Sequence, residues 1–275
     1  MKVFYKILLV LGVSIGLVTA LYFMQPGPKK NGFKRNAIKG MLLTAQTDLK
    51  YNYWYIDSLS EDSIYLGNYV AVLAAFSCDY DFRDSSYRRL PYPDSSRQKL
   101  EMLKQRVLKQ INPGKDKFKT DGFLSRNEPA GRLIYTYYYR NAFVCLDTGM
   151  RVLYTARMID TNSVAKIKTA IYRANGKKVR TMATPPVPVN KRGYIDGDYF
   201  YNQSALAADD EDLAGFMRPP SVIDVYRLSN GKYSHSIYLP WYGDGTLISF
   251  GVRGNRLVAV YGRDMVIYQL TGKED

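Results

Sequence analysis

Few residues of this chain could perform chemistry alone. The 275 residues include one histidine, His235, in the run Ser234-His235-Ser236 on a predicted strand. A catalytic triad would have to be built around this residue, and transition-metal binding by several imidazoles is excluded. We therefore interpret His235 as a strand-face residue, and we predict no catalytic, cofactor-binding or metal-binding residue.

Carboxylates occur in two local clusters. One contains Asp79, Asp81 and Asp84, and the other is the run Asp209-Asp210-Glu211-Asp212. Neither has the ligand spacing and central glycine of an EF-hand loop, so both are interpreted as solvated loops. The carboxylate pair of a glycosidase is positioned by the fold rather than by sequence spacing, so a hydrolase remains an alternative.

The search for motifs of nucleotide binding and nucleophilic catalysis gives no support to an enzymatic function. The sequence has no phosphate-binding loop, and we predict no cofactor. The G-x-S-x-G pattern from Gly12 to Gly16 places Ser14 inside an apolar segment, not at a strand-turn-helix junction, so this match is accidental. Cys78 and Cys145 have no nearby cysteine partner; we interpret them as buried thiols and leave a disulfide open.

The elements that would position these residues are mainly predicted strands. The chain has 25 tyrosines, which suit half-buried strand surfaces. Near the C-terminus, predicted strands recur at spacings of roughly ten residues, which is typical of an antiparallel propeller or sandwich. We predict a mainly β, propeller-like domain, complete or short of a blade, with a β-sandwich as the alternative. The predicted strands include 51–56, 63–66, 70–76, 223–228, 235–239, 247–252, 257–261 and 265–270, with a turn at Gly67-Asn68.

One helix is predicted near residues 95–111. Its apolar side chains recur at helical spacing, and the first turn has a capping-box pattern at Ser95. Pro113-Gly114 ends the helix. The apolar face consists of Leu100, Leu103, Val107, Leu108 and Ile111.

The N-terminus contains a candidate membrane anchor. After the flank 1–6, the segment 7–24, Ile7 to Met24, has 18 uncharged residues. As a helix it would span about 27 Å, against a hydrocarbon core of about 30 Å. We predict a retained transmembrane anchor; a cleaved signal peptide, which would leave a secreted protein, is the alternative. Gly12 and Gly16 have the G-x-x-x-G spacing of helix pairs, so a homodimer through them is a hypothesis.

Charge follows this organisation. Residues 25–40 are a predicted basic tether, and residues 41–275 are the predicted propeller-like domain. The formal net charge is +14, and residues 1–40 contribute seven basic residues and no acid, which leaves 14 − 7 = +7 for the rest. Beside an anchor this excess favours anionic lipid headgroups over nucleic acid, so we predict no nucleic-acid partner. The positive-inside rule would place the domain in the cytoplasm, whereas the tyrosine-rich β domain indicates export.

Four segments occur in a familiar order: Asp121 to Leu124, Leu133 to Asn141, Ile159 to Thr161 and Ile223 to Leu228. In this order the chain resembles an uncharacterised family of membrane-anchored, propeller-like proteins of unknown function from Bacteroidetes-type bacteria. The resemblance runs from about Leu49 to Leu270. It implies a propeller-like fold on the periplasmic side of the inner membrane, and it supplies no catalytic residues. The region between Leu90 and Lys119 is shorter than in that family, which argues against a complete six-bladed ring.

Two functions follow. The favoured one is a non-catalytic, membrane-anchored extracytoplasmic binding or scaffold protein that presents a tyrosine-rich rim to an envelope protein or peptide. The alternative is an exported, carboxylate-dependent hydrolase that acts on carbohydrate or peptide. Two close carboxylates with perturbed pKa values in a central cleft would favour the hydrolase.

Overall fold

A computed structural model of the chain forms two compact units, Met1–Asn31 and Gly32–Asp275. The described residues are 2–24, 31–38, 40–71, 73–89, 96–114, 116–127, 129–211, 218–243 and 245–271.

The described residues of the first unit contain one helix, α1 (Lys2–Met24). Within the described ranges, α1 is the one helix that is long and apolar enough to cross a membrane, in its segment Phe4–Leu21; a signal sequence near an N-terminus has the same properties. Ser14 Oγ donates to the Val10 carbonyl at 2.9 Å. This is the local bond of a serine inside a helix, so the G-x-S-x-G pattern is not a nucleophile elbow.

The second unit consists mainly of antiparallel strands. Four sheets have four strands each and form the blades, and one further pair of strands forms a hairpin. In chain order the elements are β1 (Met41–Asp48), β2 (Trp54–Leu59), β3 (Ser63–Asn68), β4 (Ala74–Asp79), β5 (Ser85–Arg89), α2 (Ser96–Ile111), α3 (Lys117–Thr120), β6 (Gly122–Asn127), β7 (Arg132–Tyr137), β8 (Ala142–Asp147), β9 (Val152–Arg157), β10 (Thr169–Ala174), β11 (Lys177–Met182), β12 (Asn190–Asp196), β13 (Tyr199–Ser204), β14 (Ser221–Arg227), β15 (Tyr233–Leu239), β16 (Leu247–Arg253), β17 (Arg256–Tyr261) and β18 (Asp264–Leu270).

The blades form a propeller-like ring. Blade 1 is β2–β5, blade 2 is β6–β9, blade 3 is β12–β15, and blade 4 is β16–β18 completed by β1 on its outer edge. The innermost strands β2, β16, β12 and β6 contact one another in that order. Buried apolar clusters fill the interfaces between blades 1 and 4, blades 4 and 3, and blades 3 and 2. The mainly β, propeller-like prediction is confirmed with four blades, and the sandwich alternative is wrong.

Helix α2 covers the face of blade 2 that points away from blade 3. Its apolar residues join Leu133, Tyr135 and Leu146 in a fourth buried cluster, at whose centre Val107 is fully buried. The predicted helix and its apolar face are therefore confirmed, while Ser95 lies outside the described residues. A helix between blades 1 and 2 in the sequence thus buries apolar surface of blade 2 that faces no other blade.

The folded unit begins before Met41. Residues 32–38, which we call the N-terminal strap, lie along β15, where Ala37 pairs in parallel with Ser236. The Ser236 amide donates to the Asn36 carbonyl at 2.7 Å, and the Ile38 amide donates to the Ser236 carbonyl at 3.0 Å. The predicted tether 25–40 therefore extends too far at its C-terminal end, because the backbone of the strap is hydrogen-bonded to blade 3. Residues 25–30 and 39 lie outside the described residues.

A buried ion-pair cluster fastens the strap. The Arg35 guanidinium, whose side chain is 1% exposed, lies 2.7 Å from Glu211 and 2.8 Å from Asp224. Burial opposes the charge of Arg35, but hydrogen bonds and charges from these two carboxylates outweigh it and raise the pKa of Arg35. Asp209 accepts a hydrogen bond from the Gly32 amide at 3.0 Å. The solvated-loop interpretation is therefore wrong for Glu211, whose side chain is buried against Arg35, whereas Asp209 is exposed as that interpretation predicts.

Candidate functional site

The histidine and the first carboxylate cluster named in the sequence analysis make local contacts within strands and turns. His235 lies on β15 as predicted, with its Nδ1 3.0 Å from Ser234 Oγ. Asp79 accepts hydrogen bonds from the amides of Arg83 and Asp84 at 2.8 and 3.4 Å, which makes it part of the turn between β4 and β5. Within the described ranges, no three His, Cys, Asp or Glu side chains lie close enough together to hold a metal ion.

The two cysteines are buried free thiols, as interpreted from the sequence. Cys78 packs between blades 1 and 4, whereas Cys145 packs between blades 2 and 3. Burial, together with the charge of Asp79, raises the pKa of Cys78 to about 12. Neither thiol has the electropositive, exposed surroundings of a reactive cysteine.

A central pocket of about 320 Å³ lies between β2, β6, β12 and α2. Tyr55, Phe123 and Tyr194 line it, together with the carboxylates of Asp57 and Glu101. The Glu101 side chain is 57% exposed and lies 3.8 Å from Lys104 Nζ. This is the geometry of a surface ion pair, and it gives no support to the carboxylate-dependent hydrolase.

A second cavity, of about 850 Å³, opens at one end of blade 1. We call it the rim groove. Its walls are the segment before β2, the turn between β3 and β4, and strand β5. The lining residues are Tyr51, Asn52, Tyr53, Trp54, Asn68, Val70, Ala71, Leu73, Ala74, Ala75, Tyr87, Arg88 and Arg89.

Aromatic rings form the floor of the rim groove. The Tyr87 ring centroid lies 4.6 Å from that of Phe76, and 6.0 Å from those of Trp54 and Tyr51. Burial raises the pKa of the Tyr87 hydroxyl, and the nearby charge of Asp48 adds to this shift. The rings of Trp54 and Phe76 also belong to the core between blades 1 and 4, so the floor rests on buried side chains.

A single buried side chain holds both loops of the rim groove. Asn68 Nδ2 donates to the Asn52 carbonyl at 2.8 Å, which fixes the segment before β2. Asn68 Oδ1 accepts from the amides of Val70 and Ala71 at 3.0 and 2.9 Å, which fixes the following turn. The groove is therefore organised by hydrogen bonds of the chain itself, as expected of a preformed site.

Two features of the rim groove cost folding free energy. Trp54 is 1% exposed, and its buried Nε1–H has no hydrogen-bond partner among the described residues, although such a donor left unpaired costs about 1–3 kcal/mol. Tyr53 has a φ of 70°, a conformation that costs a bulky side chain about 1–3 kcal/mol. Costs of this kind are not recovered by packing, and they are found most often at binding sites.

The charged side chains in the described lining of the rim groove are basic. Arg88 and Arg89 belong to its lining, which contains no acidic residue among those described. At the edge of the groove, Lys50 Nζ lies 5.6 Å from the centroid of the Tyr51 ring. These cations fit a ligand rich in hydrogen-bond acceptors.

Sequence reasoning predicted a tyrosine-rich rim but not its residues. The predicted strand 51–56 begins in fact at Trp54, so Tyr51 and Tyr53 lie in the preceding loop. The predicted turn at Gly67-Asn68 is wrong, since both residues belong to β3 and the turn follows them. The run Tyr51-Asn52-Tyr53-Trp54 was the available signal, because the adjacent rings of Tyr53 and Trp54 cannot both face one side of a strand.

Comparison with known proteins gives only distant likenesses. The chain matches no family model and no curated protein. Among solved structures, it is similar to BamB from Moraxella catarrhalis, with 13% identity over 79% of this chain and a TM-score of 0.25; it spans 57% of the BamB chain. The WD40 domain of Neurospora crassa Pan2 gives 10% identity, 81% and 64% coverage, and a TM-score of 0.24.

A third likeness is to glutaminyl cyclase from Myxococcus xanthus, with 8% identity, 84% coverage of this chain, 97% coverage of that chain and a TM-score of 0.29. None of these likenesses carries an argument about the present chain at such TM-scores. The propeller-like assignment rests on the four blades and their strand order.

Proposed function

We propose that this chain is a membrane-anchored, extracytoplasmic binding protein, and that the rim groove of blade 1 binds a segment of a partner protein. The observation that carries the proposal is the rim groove itself, a cavity of about 850 Å³ whose two loops are held by Asn68 and whose lining joins aromatic rings with two arginines.

The size and composition of the rim groove favour a peptide. Its volume of about 850 Å³ lies in the range of about 300–1,000 Å³ typical of ligand sites. Besides aliphatic side chains, its lining contains tyrosine and tryptophan rings and two arginines, and these aromatic and arginine side chains are enriched where proteins bind proteins. The exposed side chains of Tyr51, Tyr53 and Val70 add apolar surface beside the opening.

The proposed location rests on α1 and on the resemblance to anchored, exported proteins. Helix α1 is long enough to span a bilayer, and its described side chains are exposed. The location is tested by adding protease to spheroplasts that contain the full chain with a C-terminal tag. Loss of the tag is the expected result, and protection of the tag until the membrane is lysed would contradict an extracytoplasmic domain.

The binding site is tested by photo-crosslinking in intact cells. We expect p-benzoylphenylalanine in place of Val70, in the groove, to give a discrete crosslinked protein. The matched control is the same substitution at Val164; the two valines are 69% and 68% exposed, and Val164 is outside the groove lining. Equal crosslinking at both positions, or none at Val70, would contradict the proposal.

A further inference from the structure

The outer edge of blade 1 lies beside the rim groove. Strand β5 is the last strand of its sheet, and all five of its residues are exposed. Within the described ranges, no strand or bridge pairs with its other side. Such an edge presents a row of unpaired amides and carbonyls, which is a template for another strand.

The protein already uses a blade edge in this way. On blade 3 the N-terminal strap lies along β15, where Ala37 and Ser236 form a parallel bridge. The strap combines backbone pairing with the side-chain anchor of Arg35 in a buried pocket. Blade 1 offers the same two components, an open edge and an adjacent cavity, and the described chain fills neither.

Charge identifies the kind of strand that blade 1 would accept. Arg88 and Arg89 lie on β5 itself and also line the rim groove. Acidic side chains would complement these cations.

We propose that blade 1 binds an acidic peptide segment in extended conformation, which pairs with β5 as a fifth strand and places side chains in the rim groove. This inference rests on the proposed function and specifies its partner. Backbone pairing would supply affinity, and the arginines and the groove would supply selectivity. A partner of this kind is a protein with an exposed, acidic, extended segment.

The test begins with selection from a random library of peptides about ten residues long, enough to span a strand of usual length. The full chain in detergent is the target. We expect the selected peptides to be rich in Asp and Glu and to show alternating apolar residues. Selected peptides without an acidic bias would overturn the inference and leave the proposed function standing, whereas failure to select any peptide would contradict the proposed function itself.

Two measurements on the tightest acidic peptide complete the test. Backbone N-methylation at alternate residues should weaken binding at least about tenfold, because it removes donors needed for strand pairing. Arg88→Gln with Arg89→Gln should weaken binding about tenfold, with less effect at high salt. The matched control is Lys178→Gln with Lys177→Gln on β11, two exposed lysines outside the groove. Unchanged binding after N-methylation would overturn strand addition, and equal loss in both double variants would overturn the role of the arginines.

Discussion

The outer edges of blade 3 and blade 1 occupy the same position in their sheets but have different surroundings. Each is the last strand of a four-stranded sheet. The edge of blade 3 is paired with the N-terminal strap and fixed by the buried Arg35, whereas the edge of blade 1 is exposed and lies beside a groove with an unpaired buried donor. Edge strands invite pairing, so a protein covers them or uses them. The difference indicates that the chain closes one edge for stability and keeps the other for binding.

The largest effect is expected from opening the closed edge. Arg35→Ala should lower the free energy of unfolding by about 3–5 kcal/mol, because it leaves the buried Asp224 and Glu211 without their cation. The control Arg263→Ala removes an ion pair with Asp48 in which both side chains are more than half exposed, and it should cost about 1 kcal/mol or less. Denaturant unfolding measures both, and equal losses would contradict the structural role of the strap.

A smaller effect is expected from loosening the open edge. Asn68→Ala removes the hydrogen bonds that hold both groove loops and should cost about 1–3 kcal/mol together with peptide binding. Asn127→Ala is the control, since its amide also bridges two backbone groups, Ile195 and Ala130, outside the groove. It should reduce stability while binding is retained. Binding by Asn68→Ala with wild-type affinity would show that the loops are not the site.

A third prediction separates strain from packing. Tyr53→Gly should retain or raise stability, by up to about 1 kcal/mol, because glycine adopts a positive φ without strain. Tyr51→Gly is the matched control: Tyr51 is similarly exposed, has no positive φ and makes an edge-to-face contact with Tyr87, so this change should reduce stability. Both variants should weaken peptide binding. Thermal unfolding measures the stability of both variants. A clear loss of stability in Tyr53→Gly would show that the Tyr53 ring stabilises the fold.

The smallest effect is a difference in thiol reactivity. Burial raises the pKa of both cysteines, that of Cys78 to about 12, so the folded thiols should be inert to a thiol reagent near pH 8. Reaction then requires local opening, which we expect to occur several-fold faster at Cys78 in blade 1 than at Cys145. Single-cysteine variants, Cys145→Ala and Cys78→Ala, report each site separately. Faster reaction of Cys145 would indicate that blade 1 is not the more easily opened region.

The sequence predicted the repeating elements better than the contacts between them. Strand spacing gave the propeller-like fold, and helical spacing gave α2 with its buried face, because both depend on local periodicity. The strap was interpreted as a tether because Arg35 meets its carboxylates only after the chain has closed the ring, about 170–190 positions further along. The rim groove was missed for the same reason: Asn68, Trp54 and Tyr87 come together through strand pairing, and no local spacing reveals this.

The most direct test of the rim groove uses Trp54 itself. The chain has two tryptophans, so Trp241→Phe leaves Trp54 as the single tryptophan, whose emission can be excited selectively over that of the tyrosines. Trp241 donates to the Gly243 carbonyl at 2.9 Å and is outside the groove lining. Titration of this variant with the tightest selected acidic peptide should give a saturable change in emission, which Arg88→Gln with Arg89→Gln shifts to higher peptide concentration. Binding detected by calorimetry without any change in Trp54 emission would contradict the assignment of the rim groove as the binding site.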